Sequence, residues 1–314
     1  MSLSTVPSLQ VVLLAGGVGG AKLADGLRHM LPPEQLTIIV NTGDDFQHLG
    51  LTICPDMDTV MYTLAEVANS ETGWGRAGES WRVMETVQRL AGPDWFRLGD
   101  LDLATHLTRT QLLREGMSLT AVTHHLCRQF NIQHPILPMS NQPAPTIIET
   151  DDGLLPFQTW FVKEHWQPAV RRIHLPEDVR ATMPVMQALE KADVVIIAPS
   201  NPFVSIAPIL NVYPINSMIM DLPRVVIAVT PIIGGEAVKG PAAKMMQEMG
   251  LAVSSTAVAQ EYGELIDGFV YDEEDRDTFP GMDLATLCVN TFMKNNDDRV
   301  RLAQDVITFA LELI

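Results

Sequence analysis

Short apolar runs, each followed within three residues by a glycine or a proline, set the pattern of this chain. Val11 to Ala15, Thr37 to Val40, Val194 to Ala198 and Val225 to Val229 carry almost no polar residue, which predicts strands buried on both faces of a parallel sheet. Phe269 to Tyr271 predicts one more. Ala21 to Met30 between the first two runs predicts a helix, and the second run ends in Asn41-Thr42-Gly43-Asp44-Asp45. Strand and helix in alternation predict an α/β fold, a Rossmann-like doubly wound and mainly parallel sheet.

The pattern changes in the middle. A helix is predicted over Ser118 to Gln129, and a hairpin of Thr146 to Thr150 with Phe157 to Val162 around Asp152-Gly153. This predicts three parts: 1–110 as the first part of a nucleotide-binding core, 111–185 as an inserted α+β lobe, and 186–314 as the second part. Asp297 to Leu313 has the periodicity of a closing helix. At 314 residues and 46% hydrophobic content, the chain fits one α/β domain with an appended lobe.

Composition narrows the functions. No apolar run approaches the roughly 20 residues of a membrane helix, and Met1 to Gln10 reads as a short polar leader rather than a signal segment. A cytoplasmic location is expected. Cys54, Cys127 and Cys288 are widely spaced, which predicts neither disulfides nor a zinc site. A net charge of −17 repels nucleic acid and anionic membranes. The expected partners are small molecules, with a homodimer expected on general grounds.

Three groups of residues carry candidate chemistry. The turn Gly16-Gly17-Val18-Gly19-Gly20-Ala21-Lys22 after the first strand lets backbone approach a phosphate at a helix N-terminus. Lysine at position 22 breaks the dinucleotide fingerprint and argues against a nicotinamide dehydrogenase, and the turn lacks the Gly-Lys-Ser/Thr of a Walker loop. A tight strand-to-helix connection without a ligand would use the same glycines. The acids Asp44, Asp45, Asp56 and Asp58 lie at the carboxyl ends of predicted strands, as Mg²⁺ ligands, as a base toward a hydroxyl, or as helix caps. The segment Asp100-Leu101-Asp102 through His106, Arg109 and Thr110 puts the last three on one helix face. Ser200-Asn201 and the loop leading to Lys244 follow later strands and offer phosphate and base contacts.

These segments, together with Leu137-Pro138-Met139-Ser140 and Pro231-Ile232-Ile233-Gly234, resemble the 2-phospho-L-lactate transferase family of coenzyme F(420) biosynthesis, which includes phosphoenolpyruvate transferases. The resemblance implies transfer of a phospho-lactyl or phosphoenolpyruvyl group from a guanosine diphosphate ester to the terminal hydroxyl of the deazaflavin Fo, with GMP leaving. It implies Mg²⁺ as cofactor, with Asp45, Asp56 and Asp58 as metal ligands and catalytic acids, Asp56 foremost. Gly17, Gly19, Gly20, Lys22, Asn41, Ser200, Asn201 and Lys244 would hold the guanosine diphosphate part. Met139, Ser140, Asp100, Leu101 and His106 would line the deazaflavin side, although many members carry arginine where this chain has Leu101. The competing expectation is a nucleotide-sugar-binding regulatory protein of a related gluconeogenesis and cell-shape group, which shares the first glycine turn.

Overall fold

A computed structural model describes residues 9–314, so most of the polar leader expected over Met1 to Gln10 lies outside the described residues. Seven strands form the central sheet: β1 (Val11–Ala15), β2 (Leu36–Val40), β3 (Ile136–Pro138), β4 (Val194–Ile197), β5 (Val225–Val229), β6 (Gly268–Asp272) and β7 (Ala285–Val289). Their order is β7-β6-β5-β4-β1-β2-β3, and every neighbouring pair is parallel. The chain runs outward from β1 through β2 to β3, then returns to the other side of β1 with β4. The strand order therefore reverses between β1 and β4, where such sheets leave a crevice at their carboxyl ends.

The apolar runs become strands because both sheet faces are covered. Val11, Leu13 and Ala15 enter the core on one face, and Val12 and Leu14 the core on the other. Each such side chain contributes roughly 1.5–3 kcal/mol on burial. On the first face lie α1 (Gly17–Arg28), α2 (Pro55–Leu64) and, at the end of the chain, the closing helix Asn296–Leu313. That last helix starts in a capping box, with Asn295 and Asp298 each accepting from the other's backbone. It crosses α1 so closely that a Cβ on Gly26 would lie 2.1 Å from the carbonyl oxygen of Arg299.

Two further helices, α3 (Asp100–Arg114) and α4 (Leu119–Gln129), follow α2, and α4 is capped by Ser118. Residues 111–185, expected as an inserted lobe, contribute α4 and the edge strand β3, and then a small antiparallel sheet of Ile147–Thr150, Gly153–Pro156 and Arg172–His174. Ile148, Phe157, Trp160 and Val170 of this region share one core with Val12 and Leu14, so its packing is continuous with the central sheet. The hairpin turns where Asp152-Gly153 predicts. Its second strand is Gly153–Pro156, and Thr159–Lys163 forms a wide helical turn instead of a strand. Trp160 drives that change, being fully buried with its indole N–H on Pro168 O at 2.9 Å. No helix among the described residues is long and apolar enough to cross a membrane.

Candidate functional site

The crevice between β1 and β4 is closed by the segments that the two strands release. Ser200 Oγ accepts from the Gly16 amide at 3.2 Å and donates to the Gly16 carbonyl at 2.7 Å, tying the two strand ends together. Gly17 follows at φ +62°, and α1 begins there, four residues before the predicted start. The glycines that follow serve packing. A Cβ on Gly19 would lie 2.1 Å from the Pro199 carbonyl oxygen, and one on Gly20 2.8 Å from Ser200 Oγ. No side chain caps the helix at Gly16. Asn201 caps its own turn by accepting from the Phe203 amide at 3.0 Å.

Acids converge on this helix start from two directions. Asp56, in the first turn of α2, accepts from the Gly17 amide through Oδ1 at 2.7 Å and from Asn41 Nδ2 through Oδ2 at 2.9 Å. Asn41 Nδ2 also donates to Asp44 Oδ1 and to the Val204 carbonyl. Gln158 Nε2 reaches Asp44 Oδ2 at 3.2 Å. Asp44 and Asp56 thus meet around one amide group with no cationic side chain between them. Burial pushes the Asp56 carboxyl up to about 6. Burial, and then Asp56 and Asp45, push Asp44 well above the carboxylate range. Asp45 is also raised by burial, beside Cys54, and its Oδ1 is buried without a hydrogen-bond partner. Thr42 Oγ1 and Thr146 Oγ1 are orphaned in the same way.

Asp58 has a different environment, although it stands only two residues from Asp56. Its carboxylate is held by both terminal nitrogens of Arg109, Nη1 at 3.0 Å. Burial opposes the Arg109 charge, but the Asp58 carboxylate outweighs it and holds the guanidinium pKa above its usual range. Arg109 Nη1 also faces His106 Nδ1 at 3.0 Å, and His106 Nε2 lies 3.1 Å from Asp102 Oδ1. Asp102 in turn accepts from the Tyr62 hydroxyl at 2.6 Å, while Glu79 accepts the Asp102 and Leu101 amides. This buried chain of charges locks α3 to α2.

Several candidates therefore sit elsewhere than the sequence suggests. His106 is 1% exposed and clamped in that chain, not turned toward a ligand. Asp58 is bound to Arg109 and does not share the Asn41 amide that joins Asp56 to Asp44, and Asp45 feels the charges of Arg109 and Asp58 ahead of that of Asp56. Met139 is fully buried in the apolar core below the site. Ser140 ties a turn, donating to Arg180 O at 2.7 Å and accepting from the Gln142 amide. Asp100 caps the segment before α3, accepting from Ser80 and from the Val83 amide. Leu101 is 41% exposed beside it. Lys244 pairs with Glu248 and stands over the Trp160 ring. Lys22 donates to Met293 O at 2.7 Å. The sequence pointed to neither Gln158 nor Lys239, and it put Arg109 on a helix face with His106 and Thr110 without revealing its pairing with Asp58.

A divalent cation fits the acids in a specific way. No three His, Cys, Asp or Glu side chains among the described residues converge tightly enough to hold a metal ion. Asp44 and Asp56 nevertheless repel each other at one spot, and Mg²⁺ commonly takes one or two carboxylates and completes its shell with water and substrate phosphates. The donor set suits an ion shared with a ligand's phosphates. A surface cavity of about 430 Å³ beside His124, His125 and Arg128 on α4 involves none of these residues.

Comparison with known proteins gives the family and the fold. The family model described as 2-phospho-L-lactate transferase CofD matches residues 11–283. A 2-phospho-L-lactate transferase of Methanosarcina acetivorans is 39% identical over 302 residues, covering 95% of this chain and 98% of the relative. A phosphoenolpyruvate transferase of Streptomyces coelicolor is 38% identical over 316 residues, covering 97% and 99%. A crystal structure of a UPF0052 family protein from Bacillus halodurans superposes with a TM-score of 0.62 over 96% of this chain and 100% of that one, at 15% identity. That likeness concerns the fold.

Proposed function

The chain belongs to the 2-phospho-L-lactate transferase CofD family, and from that premise we propose that it transfers a phospho-lactyl or phosphoenolpyruvyl group from a guanosine diphosphate ester to the terminal hydroxyl of Fo, releasing GMP. The observation that carries the reading is the meeting of Asp44 and Asp56, buried and without a cationic partner, at the first turn of α1. Buried acids that hold protons this tightly can exchange them for a cation, and a diphosphate brings one.

Phosphoryl transfer asks the protein mainly for positioning and charge neutralisation. The α1 first turn presents backbone N–H groups to the donor's phosphates. Asp56 and Asp44 would hold Mg²⁺, which when bound draws charge from the phosphate oxygens. Asp45 has a free carboxylate oxygen, Oδ1, to accept the proton of the attacking hydroxyl. The acceptor oxygen then bonds to the phosphorus bearing the three-carbon acid, and the bond from that phosphorus to the GMP oxygen breaks. Asp58 and Arg109 keep α2 in place while this happens.

Ligand-induced stabilisation tests the reading. GDP with Mg²⁺ and Fo should each raise the melting temperature of the purified protein. Stabilisation by UDP-sugars alone would replace this reading with a regulatory nucleotide-sugar binder.

A further inference from the structure

The acid group at the start of α1 is completed from a distant part of the chain. Asn41, Asp44 and Asp56 lie close together in sequence, whereas Gln158 comes from the middle segment, 114 residues beyond Asp44. Gln158 is 5% exposed. It stands at the start of the wide turn Thr159–Lys163, yet its side chain does not cap that turn. Its amide instead donates to Asp44 Oδ2 at 3.2 Å.

The middle segment is fastened so as to bring it there. The Thr146 amide donates to the Gly43 carbonyl at 2.7 Å, next to Asp44, and the Phe157 amide donates to the Thr146 carbonyl at 3.0 Å. A Cβ on Gly43 would lie 2.5 Å from Thr146 Oγ1, so glycine is what lets the two segments come this close. Phe157 is buried, with its ring stacked on Phe161 at 5.4 Å and the Trp160 ring 6.0 Å away. Two backbone hydrogen bonds and this aromatic packing fix the start of the wide turn against the loop after β2.

The donors around Asp44 are all neutral. Asn41 Nδ2 holds Asp44 Oδ1 and Asp56 Oδ2, and Asn41 Oδ1 accepts from the Gly43 amide at 2.7 Å, which sets the direction the Asn41 amide faces. With Gln158 on Oδ2, each Asp44 oxygen has an amide donor. A carboxylate oxygen carries two lone pairs, so one N–H on each leaves another on each for a cation. Arg109 acts differently on Asp58, taking both oxygens and supplying the positive charge itself. Amide donors hold the carboxylate in place and leave its charge unmatched. We propose that Gln158 is a positioning residue for the cation site, fixing the Asp44 carboxylate toward a divalent ion shared with Asp56. This rests on the reading of Asp44 and Asp56 given above and adds the middle segment as the part of the fold that completes their site.

Mn²⁺ binding to the full chain, followed by electron paramagnetic resonance with and without GDP, tests the role. Wild type should bind the ion and Asp44→Asn should lose it. Gln158→Met, of similar volume and without a donor, should weaken Mn²⁺ by about tenfold to a hundredfold, at a melting temperature within a few degrees of wild type. Gln158→Lys should also lose Mn²⁺ while its melting temperature holds or rises, because its ammonium group supplies the charge that Asp44 otherwise takes from the ion. Arg171→Met, whose exposed pair with Asp151 lies beside the small antiparallel sheet of the same segment, is the control and should bind as wild type. The role is overturned if Gln158→Met binds Mn²⁺ as wild type does, if Gln158→Met unfolds and Gln158→Lys still binds the ion, or if Arg171→Met loses as much affinity. Wild type that binds no Mn²⁺ with or without GDP would overturn the cation reading and the role of Gln158 with it, whereas wild-type binding that Gln158→Met leaves unchanged overturns the role alone.

Discussion

Asp56 and Asp58 are two residues apart in the first turn of α2, and their surroundings could hardly differ more. Asp58 faces α3, where Arg109 grips both its oxygens and His106, Asp102 and Tyr62 continue the chain. Asp56 faces the sheet edge, where its partners are an amide of Asn41 and the backbone of Gly17. The protein satisfies one acid with a buried cation and leaves the other with neutral donors. The same division holds for the cations, with Arg109 and Arg299 paired and Lys22 and Lys239 not. Charges matched within the protein build the frame, and the unmatched acids Asp44 and Asp56 gather at the carboxyl end of β1.

The sharpest way to break this contrast is to neutralise the unmatched acids. Asp56→Asn should lower turnover by roughly a thousandfold and weaken Mg²⁺-dependent GDP binding. Asp45→Asn should lose turnover comparably and still bind GDP with Mg²⁺. Steady-state kinetics with calorimetry separates the two. Near-normal turnover of Asp56→Asn would remove the role given to it.

On the matched side the loss should fall on stability. Arg109→Met leaves Asp58 buried and uncompensated, at a cost of about 3–5 kcal/mol in urea unfolding. Adding Asp58→Leu to it should recover part of that cost, because the uncompensated charge is gone. A double variant as unstable as the sum of the singles would show the pair is not coupled.

The pH dependence of stability should carry the signature of Asp56. An unfolded chain releases this proton near 3.8 and the folded chain near 6, so between those values the folded state binds it more tightly. Stability of the metal-free protein should therefore be greatest below pH 4 as far as this group is concerned, and fall by on the order of 2 kcal/mol toward pH 6. Asp56→Asn should flatten that slope, and an unchanged slope would contradict the raised carboxyl. The smallest effect is expected at Lys244→Ala, whose partly exposed pair with Glu248 contributes about 1 kcal/mol or less. Its GDP affinity should stay within about twofold of wild type.

The sheet was legible because strands buried on both faces leave runs such as Val11–Ala15 and Val225–Val229. The edges were harder. Ile136–Pro138 is three residues ending in proline, and Ala285–Val289 is only partly buried, so neither has the composition of an interior strand. At the site, the residue types were readable but their partners were not. Asp56 and Asp58 look alike in sequence, and what separates them is that α3 presents Arg109 to one side of α2 only. Gly19 and Gly20 read as a phosphate turn, yet part of their reason is the close approach of Pro199 and Ser200. Lys244 and Lys239 flank the same Gly240-Pro241 turn, and only the path of the loop decides which of them reaches α1.

The transfer itself is tested most directly by incubating purified protein with Fo, Mg²⁺ and each guanosine diphosphate ester in turn, and following products by mass spectrometry. Transfer from the ester to Fo should give GMP and an Fo phosphodiester of the three-carbon acid in equal amounts from wild type, and neither from Asp56→Asn. Release of GMP with no modified Fo, or no product from any ester, would contradict it.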